Sequence, residues 1–502
     1  MFLDVKSLVN PPILIESINE VNRFDEVNKF DEVNRFGCPT LELGHSEVSN
    51  SNGDYMAEDI KTKVIQAKKA SIELSSVSTE IKNQALEAMA QSLDKERKAI
   101  LDANLKDLEY AVELKKKGKL TQALVDRLKV DDSKIDGMIA GIRDVIKLKD
   151  PVGDTLSTLE LDKDLVLYQV SCPIGLIGVI FESRPDVVPQ VMSLCLKSGN
   201  ATIFKGGSEA KESNRTIFQV LVKAIESVEG MPVGAFQLME TREEIMDLLS
   251  LDAYVDLLIP RGSNEFVKFI QENTKIPVLG HTSGICHIYV DEYADLDIAW
   301  KVCFDAKVQY PAVCNAIETL LVNRKIAEAF LPKMAEMYLE AGVELRCDQG
   351  TYSLLEKRGL SPLSKATEED WSLEYNDLIL SIKLVDDIKE AIDHINTFGS
   401  HHTDGIITKD ASRRKMFMGL VDSSSVMVNA STRFADGYRY GKGAEVGIST
   451  NKIHTRGPVG MEGLLIYKYV LLGNGQVVAD YAGEYAKPYT HRKLDLKFKD
   501  IN

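Results

Sequence analysis

The stretch "IGLIGVIFESRPDVVPQVMSLCLKSGNATIFK", residues 174–205, decides the fold class of this chain. The apolar run at 174–181 has the length of a strand, and residues 186–199 carry helically spaced apolar side chains that end on a glycine. "ATIFK" at 201–205 again has the composition of a strand. A strand, a helix and a second strand in close succession form the unit from which parallel sheets are built. We therefore expect an α/β protein whose parallel sheet is covered by helices on both faces.

The same alternation extends on both sides of this stretch. Downstream, the patterns predict helices and strands in turn at 209–228, 235–239, 242–250, 254–260 and 263–274, and a second α/β unit from about 275 to 440. Upstream, a helical lead-in begins near residue 58, and "DTLSTLELDKDLVLYQV" at 154–170 alternates as a hairpin of two strands does. A dehydrogenase needs two such units, one for a dinucleotide and one for an acyl group.

Composition excludes several classes of partner. With 502 residues, 44% hydrophobic and 27% charged, the chain is an ordinary globular protein of two or three domains. Its formal net charge of -16 argues against nucleic acid or an anionic membrane as the main partner. No apolar run is long enough to span a bilayer, and the N-terminus lacks the basic start of a signal peptide. We expect a cytoplasmic protein.

Seven cysteines are scattered without metal-ligand spacing, which predicts free thiols in a reducing compartment and no metal site: Cys38, Cys172, Cys195, Cys286, Cys303, Cys314 and Cys347. The N-terminal segment carries a six-residue repeat, "VNRFDEVNKFDEVNRFG", at 21–37. Because six residues match neither a coiled-coil heptad nor a solenoid unit, we interpret residues 1–54 as a flexible extension.

Cys314 has two readings. In "VQYPAVCNAIETLLV", residues 308–322, it lies in a loop beside Pro311 and Asn315, directly before a strand. An unpaired cysteine among apolar residues is often inert packing. A loop before a strand is also where functional residues concentrate, so a nucleophile with distant activating groups stays open.

Two strand-to-helix turns are candidate phosphate contacts. "KGGS" at 205–208 places a lysine and two glycines before a helix, and "RGS" at 261–263 places Ser263 as the N-cap of the next helix. Either is also compatible with a plain turn. Arg184 and Arg433 follow strands and are candidate anion clamps. His281 and His287 are interpreted as supporting groups, and "GKGAEVG" at 441–447 as a loop.

These residues carry a family resemblance. The strings "SCPIGLIGVIFESRPDVVPQ", "NTKIPVLGHTSGICHIYVD", "PAVCNAIETLLV", "VNASTRFADGYRYGKGAEVGIST" and "HTRGPVGMEGLLIYKY" occur in the order found in the gamma-glutamyl phosphate reductases, also called glutamate-5-semialdehyde dehydrogenases. The resemblance covers about residues 58–488. It implies an aldehyde-dehydrogenase-like α/β fold with a Rossmann-type cofactor domain, an α/β catalytic domain and a small oligomerisation hairpin. The implied activity is NADPH-dependent reduction of L-glutamyl 5-phosphate in proline biosynthesis.

The resemblance also implies roles for single residues. Cys314 corresponds to the catalytic nucleophile, which holds the acyl group as a thioester. The implied cofactor-binding residues are Lys205, Gly206, Gly207, Ser208, Gly262, Ser263 and Glu374. Ser208 stands where many NAD-using relatives have a glutamate, which favours NADPH. The implied substrate-binding residues are Arg184, Arg433 and Asn315. Val278 takes the place of the glutamate that activates water in hydrolysing aldehyde dehydrogenases, which fits a reductase.

The implied domain organisation has four parts: an extension at 1–54, a cofactor-binding domain at 55–275 with an oligomerisation hairpin at 152–171, a catalytic domain at 276–440, and a segment at 441–502 that returns to the first domain with an oligomerisation strand. A homo-oligomer is expected, a small-molecule substrate is the main partner, and glutamate 5-kinase is a candidate protein partner. Two alternatives stay open: another cysteine-dependent acylating dehydrogenase that reduces a different acyl phosphate or an acyl-CoA, and a catalytically silent binding protein.

Overall fold

The computed structural model describes residues 51–118, 120–240, 244–281 and 283–501. The predicted extension at 1–54 lies almost entirely outside these ranges, so its flexibility stays a prediction. The helices are α1 Ser51–Leu74, α2 Thr79–Lys95, α3 Arg97–Lys116, α4 Gln122–Leu128, α5 Asp132–Lys147, α6 Val187–Lys197, α7 Lys211–Glu226, α8 Glu244–Leu249, α9 Asn264–Glu272, α10 Leu296–Val308, α11 Arg324–Glu340, α12 Gln349–Lys357, α13 Ile388–Phe398 and α14 Ala411–Leu420.

The strands are short and alternate with the helices from residue 176 to residue 428. They are β1 Thr155–Asp162, β2 Leu165–Pro173, β3 Leu176–Phe181, β4 Ala201–Gly206, β5 Phe236–Met239, β6 Leu257–Arg261, β7 Cys286–Val290, β8 Ile317–Asn323, β9 Glu344–Cys347, β10 Ser364–Lys365, β11 Ile379–Val385, β12 Thr403–Ile407, β13 Ser425–Val428, β14 Gly447–Ser449, β15 Gly457–Val459, β16 Leu465–Leu472 and β17 Arg492–Lys493. None of the helices within the described residues combines the length and apolarity needed to cross a bilayer.

The stretch that predicted the fold class forms the centre of the first parallel sheet. Its strand order is β5-β4-β3-β6, and β3 pairs in parallel with both β4 and β6. All six residues of β3 are buried, which explains why this strand is a continuous apolar run and does not alternate. The predicted strand, helix and strand are confirmed as β3, α6 and β4, with Gly199 in a left-handed conformation after α6.

The second α/β unit forms a larger parallel sheet. Seven strands lie in the order β10-β9-β11-β8-β7-β12-β13, and every neighbouring pair is parallel. β8 is central in this sheet and is buried at every position. Cys314 lies three residues before β8, so this buried strand fixes the end of the loop that carries the cysteine. The expected α/β architecture, with two parallel sheets, is confirmed.

The predicted hairpin is confirmed as β1 and β2, which pair antiparallel. The C-terminal strand β16 pairs with β2 along its whole length, in a separate sheet of order β16-β2-β1-β17. The residues that precede β16 pack into the same apolar core as the first parallel sheet; they include Ala444, Val446, Val459 and Leu464. The C-terminal segment thus contacts the first core. The residue limits of the domains and the role of the hairpin in oligomerisation stay predictions.

Candidate active site

A cleft of about 740 Å³ opens where strands of the first parallel sheet end. The ends of β3 and β6 and the start of α9 contribute Glu182, Ser183, Arg184 and residues 259–265 to its lining. The loop before β8 contributes Cys314, a more distant loop contributes Glu374, and residues 446–448 at the start of β14 complete the lining. Ligands of open α/β sheets bind at the carboxyl ends of the strands, so this cleft is the candidate active site.

Close backbone packing fixes the position of Cys314. A Cβ atom at Gly284 would lie 2.4 Å from the Cys314 carbonyl oxygen and 2.6 Å from its Cβ, so only glycine permits this approach. The Cys286 thiol donates to that carbonyl at 3.2 Å. On the other side, the Asn315 amide donates to the Ala435 carbonyl at 2.9 Å. Two separate segments, 284–286 and the loop at Ala435, therefore hold the loop that carries the thiol.

We expect Gly284→Ala to lower kcat/KM by about 10²-fold, because an added methyl group must push the Cys314 backbone away and a misplacement of about 1 Å has that effect on a reaction. The fold should persist, since the change adds one methyl group beside a loop. Steady-state kinetics and circular dichroism measure the two effects. Gly419→Ala is the matched control, because a Cβ atom there meets nothing within 4 Å. Unchanged kinetics in Gly284→Ala would contradict the packing described.

The charges around Cys314 oppose its ionisation. Burial and the carboxylates of Glu374 and Glu445 together raise the pKa of the Cys314 thiol to about 12, although Arg261 acts in the opposite direction. The thiol is therefore protonated at neutral pH before a substrate binds. Any nucleophilic chemistry at this sulfur needs a group that removes the proton.

Arg261 is a cation of the cleft without a counter-ion contact. Its guanidinium forms no hydrogen bond and no ion pair with any residue that the structure describes. Burial and the neighbouring Arg184 lower the pKa of Arg261, while Glu445 and Cys314 act against this shift. A guanidinium still keeps its charge, because its ordinary pKa is above 12. In the sequence Arg261 marks only the start of a turn, and no local pattern indicates that it lies near the thiol.

Two histidines also lie beside the thiol. The Cys314 sulfur, one ring nitrogen of His281 and one ring nitrogen of His402 all lie within 4.8 Å of one another. The His281 and His402 rings meet edge to face, with centroids 5.1 Å apart. His281 lines the cleft, whereas His402 is completely buried. His281 was expected to be a supporting group, and no pattern in the sequence indicated His402 as a neighbour of the thiol.

The second turn predicted to contact a phosphate lies in the cleft, together with Glu374, which is predicted to bind the cofactor. Gly262, Ser263 and Glu374 all line it, and the Asn264 amide donates to Glu374 at 2.8 Å. Ser263 is confirmed as an N-cap, because its hydroxyl accepts from the Phe266 N–H. A Cβ atom at Gly262 would lie 2.5 Å from the Glu182 carboxylate, so the turn has no room for a side chain.

The other cofactor candidates lie at the end of β4, outside the cleft lining. The Lys205 ammonium donates to the Gly206 carbonyl at 2.6 Å, and Ser208 is exposed. Glu209, by contrast, lines the cleft and accepts from the Ser183 N–H at 2.6 Å and from its hydroxyl at 2.8 Å. Ser183 adopts a left-handed backbone with φ of 43°, a strained conformation that this carboxylate stabilises.

The candidate substrate residues differ in their surroundings. Arg184 lines the cleft and forms an ion pair with Asp186 at 3.0 Å. Arg433 is buried, donates to Gln309 at 3.0 Å and lies close enough to Cys314 for the thiol to raise its pKa, although burial lowers that pKa overall. The Asn315 side chain anchors the loop, and its oxygen is buried without a partner among the described residues.

Comparison with known proteins identifies the family. The model of the aldehyde dehydrogenase family matches residues 42–353, more than half of the chain. A gamma-glutamyl phosphate reductase of Methanosarcina barkeri is 92% identical over 447 residues, which are 89% of this chain and 100% of that protein. The chain is a member of the gamma-glutamyl phosphate reductases. The one from Natronomonas pharaonis is 53% identical over 440 residues, 88% of this chain and 99% of that protein.

A solved structure of another gamma-glutamyl phosphate reductase has the same fold. The crystal structure of the Thermotoga maritima protein superposes with a TM-score of 0.79 at 40% identity, covering 83% of this chain and 99% of that one. The predicted family is thereby confirmed.

Position 278 carries an apolar side chain at the edge of the cleft-lining segment. Val278 bridges to Leu258 beside β6, and its side chain is buried in the first apolar core. Leu279, Gly280 and His281, the next three residues, line the cleft. At the place that the resemblance assigns to a water-activating glutamate, this chain therefore has a buried apolar side chain.

Proposed function

We propose that this chain reduces L-glutamyl 5-phosphate to L-glutamate 5-semialdehyde, with NADPH as reductant and a thioester on Cys314 as intermediate. The observation that carries the proposal is the meeting of Cys314 with the unpaired Arg261 in one cleft, next to a segment without an acid at position 278. A thiol beside a free guanidinium is suited to an anionic acyl donor, and the missing carboxylate protects the thioester from water.

In the first step, the Cys314 sulfur attacks the acyl carbon, the bond between that carbon and the phosphate oxygen breaks, and phosphate leaves. The negative charge on the acyl oxygen needs fixed donors, for which the Cys314 N–H and the Asn315 N–H stand at the nucleophile itself. Arg261 would balance the charge of the phosphate, and Arg184 and Arg433 supply further cations for the substrate's carboxylate.

The residues of the cleft fit a dinucleotide. The turn at Gly262 leaves no room for a side chain, and it leads into the N-terminus of α9, which favours a pyrophosphate. When bound, the dinucleotide supplies the hydride that reduces the thioester. Glu374, held by Asn264, is the acceptor proposed for the nicotinamide ribose. Lys205, Gly206, Gly207 and Ser208 would hold the adenosine ribose from the end of β4.

Two features support a 2'-phosphate on that ribose. Position 208 carries no carboxylate, and Arg127 of α4 adds a cation to the cleft lining. The Glu209 carboxylate acts against a phosphate, but it is already engaged by Ser183. NADPH is therefore proposed over NADH as the reductant. A homo-oligomer of this chain is proposed separately, on the family resemblance.

The reverse reaction tests this function with stable reagents. Pyrroline-5-carboxylate, the cyclised form of the semialdehyde, is incubated with inorganic phosphate and either NADP⁺ or NAD⁺, and reduced nicotinamide is followed by absorbance. We expect reduction that requires phosphate and is faster with NADP⁺. Coenzyme A in place of phosphate is the control for an acyl-CoA reductase. Activity with coenzyme A alone, or none with phosphate, would overturn the proposal.

A further inference from the structure

We propose that His281 is the acid–base group of this reaction, which takes the proton of the Cys314 thiol during acyl capture and returns a proton to the sulfur when the aldehyde leaves. The proposal rests on the proposed function, which does not say which group removes the thiol proton, and it assigns that role to a residue. The sulfur and a ring nitrogen of His281 lie within 4.8 Å of each other, a separation that a small rotation or one bridging water closes.

A hydrogen bond sets the tautomer of His281. Its Nδ1 lies 2.8 Å from the Ile448 carbonyl oxygen. A carbonyl only accepts hydrogen bonds, so Nδ1 carries the hydrogen, and the lone pair of the neutral ring is on Nε2. This bond also orients the ring. A thiol, an imidazole with a ring nitrogen within 4.8 Å of the sulfur, and a carbonyl that orients the imidazole thus occur in sequence, which resembles the arrangement that activates nucleophiles in unrelated enzymes.

The charge state of both groups suits a neutral pair. Cys314 is a protonated thiol before the reaction, as described above. Burial lowers the pKa of His281, Arg261 lowers it further, and Glu374 and the bond to Ile448 oppose the shift. His281 is therefore an unprotonated imidazole at neutral pH, ready to accept a proton.

The other groups near the sulfur are less suited to this role. Glu374 accepts from Asn264, and Glu445 accepts from the Gly437 N–H at 2.8 Å. In the part of the chain that the structure describes, neither carboxylate forms a hydrogen bond with Cys314. His402 is completely buried and does not line the cleft, so it lacks the contact with solvent that a proton carrier needs. His281 lines the cleft and can exchange protons with solvent.

The proton balance is complete. As the sulfur–carbon bond forms and phosphate departs, the thiol proton passes to His281 Nε2 and then to the leaving phosphate. After hydride transfer, the carbon–sulfur bond of the thiohemiacetal breaks, the aldehyde forms, and a solvent proton passes through His281 to the thiolate. One acyl phosphate, one reduced dinucleotide and one proton are consumed for each aldehyde and phosphate.

Alkylation of Cys314 tests the role without substrate or cofactor. The intact protein is treated with iodoacetamide from pH 5 to 9, and modification of the Cys314 peptide is followed by mass spectrometry. We expect the wild-type rate to reach a plateau above the pKa of His281. In His281→Gln, the rate at pH 7 should fall by about 10²-fold and rise with pH without a plateau, because only the thiol's own ionisation remains. His401→Gln is the matched control, since His401 bonds to the Asp422 carbonyl and is not part of the cleft lining.

Two further results guard against misfolding of a variant. Free imidazole should restore part of the alkylation rate of His281→Ala, which a merely structural role would not produce. A wild-type rate that rises tenfold per pH unit through the whole range, or a His281→Gln profile equal to wild type, would overturn the proposal. Because this assay uses no acyl phosphate, a failure of the proposed function in the reverse-reaction assay remains a separate result.

Discussion

Cys314→Ala is expected to lower kcat by more than about 10⁴-fold, since the variant has no sulfur to hold the acyl group and losses of this order follow removal of a nucleophile. Binding of the reduced dinucleotide should remain, because Gly262, Ser263 and Glu374 are untouched. Cofactor binding is measured by fluorescence titration, and turnover by the phosphate-dependent reverse reaction. The comparison separates loss of chemistry from loss of the cleft.

Trapping the intermediate makes this test sharper. Wild-type protein that is incubated with the acyl donor in the absence of reduced cofactor should gain the mass of one glutamyl group on the Cys314 peptide, and Cys314→Ala should gain none. Cys172→Ala is the matched control, because Cys172 is also partly exposed but lies on β2. Semialdehyde formation by Cys314→Ala at a rate near wild type would refute the thioester mechanism.

Lys307→Met is expected to lower the free energy of unfolding by about 3–5 kcal/mol at pH 8, because it leaves a buried carboxylate without its partner. The Lys307 ammonium and the Glu318 carboxylate are 2.6 Å apart, and both side chains are at most 1% exposed. Burial raises the pKa of Glu318 to about 7 even with the ammonium beside it. Removal of the ammonium must raise this pKa further. Urea unfolding at equilibrium gives the free energy.

The pH dependence has a definite sign. A carboxyl whose folded pKa is above its unfolded value stabilises the fold at low pH and loses this effect as pH rises through the folded pKa. The destabilisation by Lys307→Met should therefore be smaller at pH 5 than at pH 8. The double variant Lys307→Met, Glu318→Leu, which removes both charges, is the control and should recover most of the loss. Equal destabilisation at both pH values would contradict an unpaired Glu318.

The Lys307–Glu318 ion pair is connected to the cleft through Asn376. The second Glu318 oxygen accepts from the Asn376 N–H at 3.3 Å, and Asn376 lines the cleft together with Glu374. Loss of Lys307 should therefore also raise KM for the cofactor, in addition to lowering stability.

Local patterns in the sequence predicted much of the fold. The strand, helix and strand within residues 174–205 were predictable because the apolar run, the helical spacing and Gly199 are all local signals. The order of the seven-stranded sheet is not local: β8 pairs with β7 and with β11, and the pairing register follows from packing of whole helices on the sheet. No spacing in the sequence specifies that order.

The site was predictable only where a turn carries its own signature. Ser263 follows the rule for N-caps, and Gly262 the rule for close approach. The neighbours of Cys314 lack such signals: Arg261, His402 and Glu445 are separated from it by many residues, and the loop at 441–447 contains nothing that marks Glu445 as a charge near the thiol. Their proximity depends on the tertiary structure.

The burial of Val278 has a consequence for engineering of this chain. Its side chain is 8% exposed and packs in the first apolar core, so Val278→Glu would place a carboxylate in apolar surroundings. We therefore expect that substitution to lower the stability of the fold, whatever it does to the lifetime of a thioester in the cleft.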